Sequence, residues 1–142
     1  MSLPLFTLKD YQLQTLGSLR RFLEKTVELG YADTAFYVVT KRPFTPPPNL
    51  PDLPYVCLRI PTGGGKTILA AHSIGVAADS FLRTDAPTVL WLVPSQTIRD
   101  QTLATLQDRS HPNRRALGER FGENVRIMGV SDALYARRAD YD

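Results

Sequence analysis

The chain has 142 residues, of which 43% are hydrophobic and 22% are charged, so it is long enough for one domain with a core of its own. Its formal net charge of +3 is mildly basic, which permits a polyanionic partner without indicating one. The sequence has no apolar stretch of membrane-spanning length and no secretory leader, so we expect a cytoplasmic location and no membrane association. Its single cysteine, Cys57, excludes an internal disulfide and is expected to be a buried thiol.

Residues 8–29 have the periodicity of an amphipathic helix, with apolar residues recurring at spacings of three and four. Thr7 is the predicted N-cap of this helix, and Gly30 is predicted to end it. Near its start stand Tyr11 and Gln12. A glutamine amide carries one donor group and one acceptor, the complement of adenine N7 and N6, although the helical pattern alone makes Gln12 an exposed surface residue.

Two less regular stretches follow the first helix. Residues 33–40 suit either a short helix or a strand, and we favour the helix. Residues 43–54 are dense in proline, which excludes helix and interior strand and favours an extended polyproline II conformation. A stiff spacer is the favoured interpretation of this stretch, over a proline-rich ligand for another protein.

The next segments predict a phosphate-binding loop. Residues 55–60 are mostly apolar, as in a buried parallel strand, and residues 68–82 are apolar and alanine-rich, as in a buried helix. Between them lies Pro-Thr-Gly-Gly-Gly-Lys-Thr, residues 61–67, in which glycines allow the backbone N–H groups to face an anion at the helix N-terminus. Lys66 would reach the β- and γ-phosphates, and the Thr67 hydroxyl would coordinate Mg²⁺.

The remaining segments continue an alternation of strand and helix. Residues 88–93 and 125–130 are predicted strands, while Ser95 is a good N-cap for a helix after Pro94. A short helix is predicted over residues 114–121. This order predicts an α/β fold in which a mainly parallel sheet is flanked by helices.

With these segments in order, the chain resembles the N-terminal part of a superfamily 2 helicase or translocase motor, and in particular the Res subunit of type III restriction enzymes. Residues 8–12 are similar to the family's adenine-reading segment, and residues 58–67 are similar to its motif I. Ile60 replaces the first glycine of the general phosphate-loop pattern, as this superfamily allows. Residues 89–95, followed by Gln101, are similar to motif Ia.

The resemblance implies a partial RecA-like P-loop NTPase domain that uses ATP and Mg²⁺. It implies an adenine contact by Gln12 and a catalytic role for Lys66. The nucleotide would be held by Gln12, Thr62, Gly63, Gly64, Gly65, Lys66 and Thr67. Ser95 and Gln96 would meet a DNA phosphate at a helix N-terminus. The implied partners are double-stranded DNA and a modification (methyltransferase) subunit.

A helicase motor also needs an Asp-Glu pair after an apolar strand, and this sequence has none; Asp132 is the only acid in such a position. We therefore interpret residues 1–142 as the N-terminal half of the first RecA-like motor domain of a longer protein. It would consist of the helix over 8–29, the spacer over 43–54 and a P-loop core over 55–142. We expect this piece to be inactive alone, and an unpaired strand edge at 55–60 predicts self-association.

Two other interpretations stay open. A small P-loop kinase-like protein that binds nucleoside triphosphates, with Asp132 as its metal-binding acid, fits the length but leaves Tyr11, Gln12 and Ser95 without a role. A non-catalytic interaction module would use the proline-rich stretch. The natural reading frame beyond Asp142 would discriminate, because only the motor requires a downstream Asp-Glu strand and a second RecA-like domain.

Overall fold

A computed structural model describes residues 7–136 of the chain. These residues fall into two compact units that divide between Val89 and Leu90. Both units are built from helices joined by irregular segments.

The first unit contains three α-helices and a π-helical segment: α1 (Asp10–Leu29), α2 (Ala32–Thr40), α3 (Lys66–Ala77) and the π-helical segment Ala78–Leu82, which continues α3. Helix α1 packs against all the others and so forms the centre of the unit. The apolar side chains recur at helical spacing, so each helix turns one apolar face toward its neighbours, and these faces form the core. The buried core residues are Leu16, Leu19, Phe22, Leu23, Ala32, Ala35, Leu69 and Val76.

The ends of α1 are set by local hydrogen bonds. Its N-cap is Lys9, so the prediction of Thr7 as the cap is wrong. The Oε1 atom of Gln12 accepts from the Lys9 backbone N–H at 2.8 Å, which is the glutamine half of a capping box. At the other end Gly30 adopts φ 78° and its N–H donates to Thr26 O at 2.9 Å, as the sequence predicts. The predicted helices over 33–40 and 68–82 are also confirmed, as α2 and as α3 with its π-helical continuation.

The proline-rich stretch is anchored to the core at one point. The Phe44 ring lies 6.5 Å from the Phe22 ring and 5.5 Å from the Phe36 ring, measured between centroids. Beyond Phe44 the chain makes two short turns, in which Leu50 N–H donates to Pro47 O and Leu53 N–H donates to Leu50 O. The extended spacer predicted over 43–54 is therefore interrupted by these turns.

The second unit contains α4 (Gln96–Gln107), α5 (Pro112–Phe121) and α6 (Val130–Tyr135). Helices α4 and α5 pack together, burying Leu106, Ala116 and Leu117. The Ser95 hydroxyl accepts from Ile98 N–H at 3.3 Å and caps α4, as predicted. Helix α5 begins at Pro112, two residues before its predicted start, because the His111 ring accepts from Asn113 N–H at 3.1 Å and caps it.

The prediction of an α/β fold with a mainly parallel sheet is wrong for the structure described: residues 7–136 contain helices and no strand. The three apolar segments predicted as strands lie in irregular conformation instead. An apolar run predicts burial, but a strand also requires a neighbour that completes its ladder of backbone hydrogen bonds, and the composition of a segment does not specify that neighbour.

Each of these segments shows how the backbone is otherwise accommodated. Residues 55–60 alternate in burial, with Val56, Leu58 and Ile60 packed on the core. In residues 88–93, Leu90 and Leu92 are 76% and 80% exposed, so this run is not enclosed between layers. In residues 125–130, two backbone carbonyls accept hydrogen bonds from side chains of helices. Arg114 Nη2 donates to Val125 O at 3.1 Å, and Gln107 Nε2 donates to Ile127 O at 3.2 Å.

Two expectations that depended on the strand over residues 55–60 change with it. Cys57 is exposed, so the prediction of a buried thiol is wrong. The predicted self-association through an unpaired strand edge has no strand to support it in the part of the chain that the structure describes. No helix within residues 7–136 combines the length and the apolar character that a bilayer-spanning segment requires.

Candidate functional site

The glycine-rich stretch forms a tight loop that leads directly into α3. The Gly64 backbone N–H donates to Pro61 O at 2.9 Å and closes a four-residue turn. Gly63 and Gly65 both adopt left-handed backbone angles, with φ of 76° and 80°. Gly65 is the N-cap of α3, and its carbonyl accepts the first helical hydrogen bond, from Leu69 N–H at 3.1 Å.

Two of these glycines are required by their surroundings as well. A Cβ atom on Gly64 would lie 2.6 Å from Ile60 Cγ2 and 2.8 Å from Pro61 O. A Cβ atom on Gly65 would lie 2.6 Å from Gln12 Nε2, in addition to the strain of its positive φ. A side chain at either position would therefore fill the space in which the loop packs against itself and against α1.

The start of α3 offers a group of backbone donors. In an α-helix the first N–H groups have no carbonyl four residues earlier to bond, so those of Lys66, Thr67 and Ile68 are left for another acceptor. The first turn of α3 contains no acidic side chain that could compensate the positive end of the helix dipole. Donors and dipole together suit an anion, and phosphate is the common one at such a position.

The two polar side chains that follow the loop differ in exposure. Lys66 is exposed, and no hydrogen bond or ion pair within residues 7–136 engages its ammonium group. Thr67 is half-buried in the first turn of α3. Among the described residues no group of three or more His, Cys, Asp or Glu side chains could hold a metal ion. The Thr67 hydroxyl is a side-chain oxygen at the loop of the kind that Mg²⁺ can take as a ligand.

Two side chains of helix α1 form hydrogen bonds to the loop. The Tyr11 hydroxyl and the Gln12 Nε2 amide both donate to the Gly64 carbonyl, each at 2.9 Å. We call this pair of hydrogen bonds the Gly64 brace. Because the Gln12 Oε1 atom accepts from Lys9 N–H, both ends of the Gln12 amide have a partner.

Gln12 is buried, with only 4% of its surface exposed, and so differs from the exposed residue that the helical pattern indicates. Beside the loop lies a cleft of about 390 Å³, lined by Tyr11, Gln14, Thr15, Ser18, Arg59, Ile60 and Pro61. Tyr11 is 37% exposed and belongs to both features, since its ring lines the cleft while its hydroxyl belongs to the brace. The structure thus brings Gln12, Gly64 and Gly65 together.

The other predicted site residues lie in the second unit. Ser95 caps α4 and Gln96 is the exposed first residue of that helix. Asp132 is exposed in the first turn of α6. The Ser110 hydroxyl and its backbone N–H both donate to the Asp108 carboxylate, which lowers the pKa of Asp108 below its ordinary value of 3.8. This turn joins α4 to α5 and has no part in the loop.

Tyr11 is the residue that reasoning from the sequence singled out without assigning it a role in the loop. Its partner Gly64 lies 53 positions away, and no periodicity or motif predicts a contact at that separation. The only available signal is its place next to Gln12 in the first turn of α1.

Comparisons with known proteins bear on the whole chain. No curated protein and no solved structure matches it. A family model described as type III restriction enzyme, res subunit, matches residues 5–131, which include α1, the glycine-rich loop and helices α3 to α5. That match covers far more than half of the sequence, and the chain therefore belongs to the family of type III restriction enzyme res subunits.

Proposed function

We propose that this chain is the ATP-binding segment of an ATP-dependent DNA helicase or translocase, the restriction subunit of a type III restriction–modification system. The observation that carries the proposal is the loop of residues 61–65, which leads directly into the N-terminus of α3. The first turn of α3 offers backbone N–H donors and the exposed Lys66 at this point. Membership of the family supports the same assignment.

The loop residues take complementary roles toward the phosphates. Backbone N–H groups at the start of α3 bind phosphate oxygens, and the curl set by Gly63 and Gly65 orients them. Lys66 neutralises charge on the β- and γ-phosphates, which makes it the catalytic residue of this segment. Thr62 begins the curl, ahead of the glycines.

A Mg²⁺ ion fits the same arrangement. Thr67 stands in the first turn of α3, one residue after Lys66, so its hydroxyl can serve as a ligand to an ion that also binds phosphate oxygens. When bound, such an ion supplies charge neutralisation at the phosphates. The residues of this chain supply its ligand and the anion-binding donors.

Gln12 is proposed as the adenine contact. Its amide keeps one hydrogen and one lone pair beyond those used with Gly64 and Lys9, and these match the N7 acceptor and the N6 donor of adenine. Because Gln12 is buried, the base reaches it only if the groups that cover it move. Guanine presents an acceptor in place of the N6 donor, so Gln12 favours ATP over GTP.

The remaining assignments concern partners. Ser95 and Gln96, at the N-terminus of α4, are proposed to meet a phosphate of double-stranded DNA, since backbone donors and a hydroxyl at a helix start suit that group. A modification (methyltransferase) subunit is the proposed protein partner, in the cytoplasm. We also propose that residues 1–142 are part of the first motor domain of a longer protein.

Calorimetric titration with ATP and Mg²⁺ tests the nucleotide assignment. Lys66→Ala removes a charged contact to phosphate and should weaken binding by about 2–3 kcal/mol, or about 30- to 150-fold in Kd. Lys25→Ala is the matched control, because Lys25 is a lysine of α1 whose partner is Glu28 and not the loop. Equal affinity of Lys66→Ala and the unchanged chain would contradict the proposal, as would absence of binding to the unchanged chain.

The base assignment needs a separate measurement. Gln12→Ala should bring the affinities for ATP and GTP closer together, because the group that distinguishes the two bases is gone. An unchanged ratio of the two affinities would show that Gln12 does not read the base, and it would leave the phosphate assignment standing.

A further inference from the structure

The Gly64 carbonyl is the one acceptor in the loop that receives two side-chain hydrogen bonds, from Tyr11 and from Gln12, within the described residues. Both donors belong to the first turn of α1, and both distances are 2.9 Å. The loop is therefore fastened to α1 at the peptide group between Gly64 and Gly65.

The orientation of this peptide group sets the direction in which the Gly65 N–H points. The carbonyl of Gly64 and the N–H of Gly65 belong to one planar trans peptide unit, so they point in opposite directions. Holding the carbonyl toward Tyr11 and Gln12 holds the Gly65 N–H away from α1. Glycines rotate easily about φ and ψ, so without the brace this peptide could turn and take its N–H out of position.

The two donors are not equivalent. Gln12 is buried, its Oε1 also caps α1, and its amide is the proposed adenine contact. The Tyr11 hydroxyl has the Gly64 carbonyl as its acceptor, and the side chain is accessible along the cleft. The Tyr11 hydroxyl therefore holds the carbonyl independently of Gln12, and this bond is its only role in the arrangement proposed here.

We propose that Tyr11 is a positioning residue for triphosphate binding, which acts by holding the Gly64 peptide so that the Gly65 N–H faces the anion. The inference rests on the proposed function and adds to it a residue that touches the loop rather than the nucleotide. Because Tyr11 acts on the phosphate-binding backbone, its effect is the same for every triphosphate, whatever base is attached.

Tyr11→Phe removes the hydroxyl and keeps the ring. We expect this variant to bind ATP, GTP and inorganic tripolyphosphate, each with Mg²⁺, about 3- to 10-fold more weakly, which is the loss of one neutral hydrogen bond. The factor should be common to the three ligands. Tyr37→Phe is the matched control, since Tyr37 is an exposed tyrosine of α2 and should leave all three affinities unchanged.

A second measurement observes the brace directly. The ¹³C chemical shift of the Gly64 carbonyl reports the hydrogen bonds that it accepts, so it should change in Tyr11→Phe and not in Tyr37→Phe. Circular dichroism should show the same helical content in all three proteins. Loss of helical structure in Tyr11→Phe alone would overturn the proposal, because Tyr11 would then be required for folding.

The titrations separate this proposal from the one on which it rests. If the unchanged chain binds neither ATP nor tripolyphosphate, both proposals fail. If it binds them and Tyr11→Phe binds them equally well, the positioning role is overturned and the nucleotide assignment stands. A weaker affinity for ATP with an unchanged affinity for tripolyphosphate would also overturn it, because Tyr11 would then contact the nucleoside.

Discussion

Replacing Gly65 by alanine tests the packing of the loop against α1. The added Cβ would lie 2.6 Å from Gln12 Nε2 and 3.1 Å from Ile68 Cγ2, at a residue whose φ is +80°. The left-handed backbone alone costs alanine about 1–2 kcal/mol. Displacing the buried Gln12 amide from Gly64 adds about 1–3 kcal/mol, offset by about 0.4–1 kcal/mol from the stiffer unfolded chain. We expect a net destabilisation of about 1–5 kcal/mol.

The assay is urea unfolding followed by circular dichroism, with two other glycines as controls. Gly63→Ala meets the same backbone strain, at φ +76°, but its Cβ has no atom within 4 Å, so it should cost only the backbone contribution. Gly17 lies inside α1 without a positive φ and with no atom within 4 Å, so Gly17→Ala should be stabilising by about 0.5–1 kcal/mol.

A double variant isolates the contact itself. In a chain that already carries Gln12→Ala the clash with the amide is absent, so the further change Gly65→Ala should cost less than it does in the unchanged chain. The positive φ and the 3.1 Å approach to Ile68 Cγ2 are the costs that remain. Gly65→Ala with the same stability as Gly63→Ala in the unchanged chain would refute this reasoning, because the close approach of Gln12 would then have no energetic consequence.

The remaining predictions concern the second unit and catalysis. Ser95→Ala removes the N-cap of α4 and should lower stability by about 1 kcal/mol in the same urea assay, with Ser131→Ala, which caps nothing, as control. The Asp108 carboxyl should titrate below 3.8 by NMR, and Ser110→Ala should raise its pKa; because the folded pKa is lowered, the stabilisation is present above the ordinary value and is lost as pH falls through the folded pKa. Finally, we expect no ATP turnover by these 142 residues, since the sequence has no Asp-Glu pair to position water; phosphate release that disappears in Lys66→Ala would contradict this and favour the kinase-like interpretation.

The helices could be predicted from the sequence because their signals are local. Apolar spacing located α1, and Gly30 and Ser95 marked an end and a start that the structure confirms. The π-helical geometry of Ala78–Leu82 was not predicted, because the apolar periodicity of a helix does not distinguish a hydrogen bond to the fourth preceding residue from one to the fifth.

The sheet could not be predicted correctly from the same kind of signal. Residues 88–93 are apolar in succession, which indicates burial on two faces, yet Leu90 and Leu92 are mostly exposed. Residues 125–130 resemble a strand in composition, but their carbonyls accept from Arg114 and Gln107 and α6 begins at Val130. Which segment would pair with a given strand depends on residues far away in the sequence, and no local pattern of residues specifies that segment.

The site divides in the same way. The motif predicts that its glycines let the backbone curl, and Gly63 and Gly65 adopt the positive φ angles that glycine takes with the least strain. The burial of Gln12 and the hydroxyl contact of Tyr11 depend on how α1 lies against residue 64. The helical pattern by itself indicated that Gln12 is exposed. The roles of Gln12, Lys66, Ser95 and Gln96 toward ligands stay predictions.

The alternating burial of residues 55–60 leaves one reactive thiol exposed close to the loop in sequence. Cys57 is the only thiol in the sequence and its side chain is exposed, while Val56 and Leu58 on either side of it pack against the core. A thiol-reactive fluorophore would therefore attach only at Cys57, four residues before Pro61. The residues on either side of the label would be those packed against the core. Oxidation of this exposed thiol by dissolved oxygen, which takes up the two electrons and two protons of two thiols, would join two copies through a disulfide. The labelled or reduced form is therefore the one to titrate.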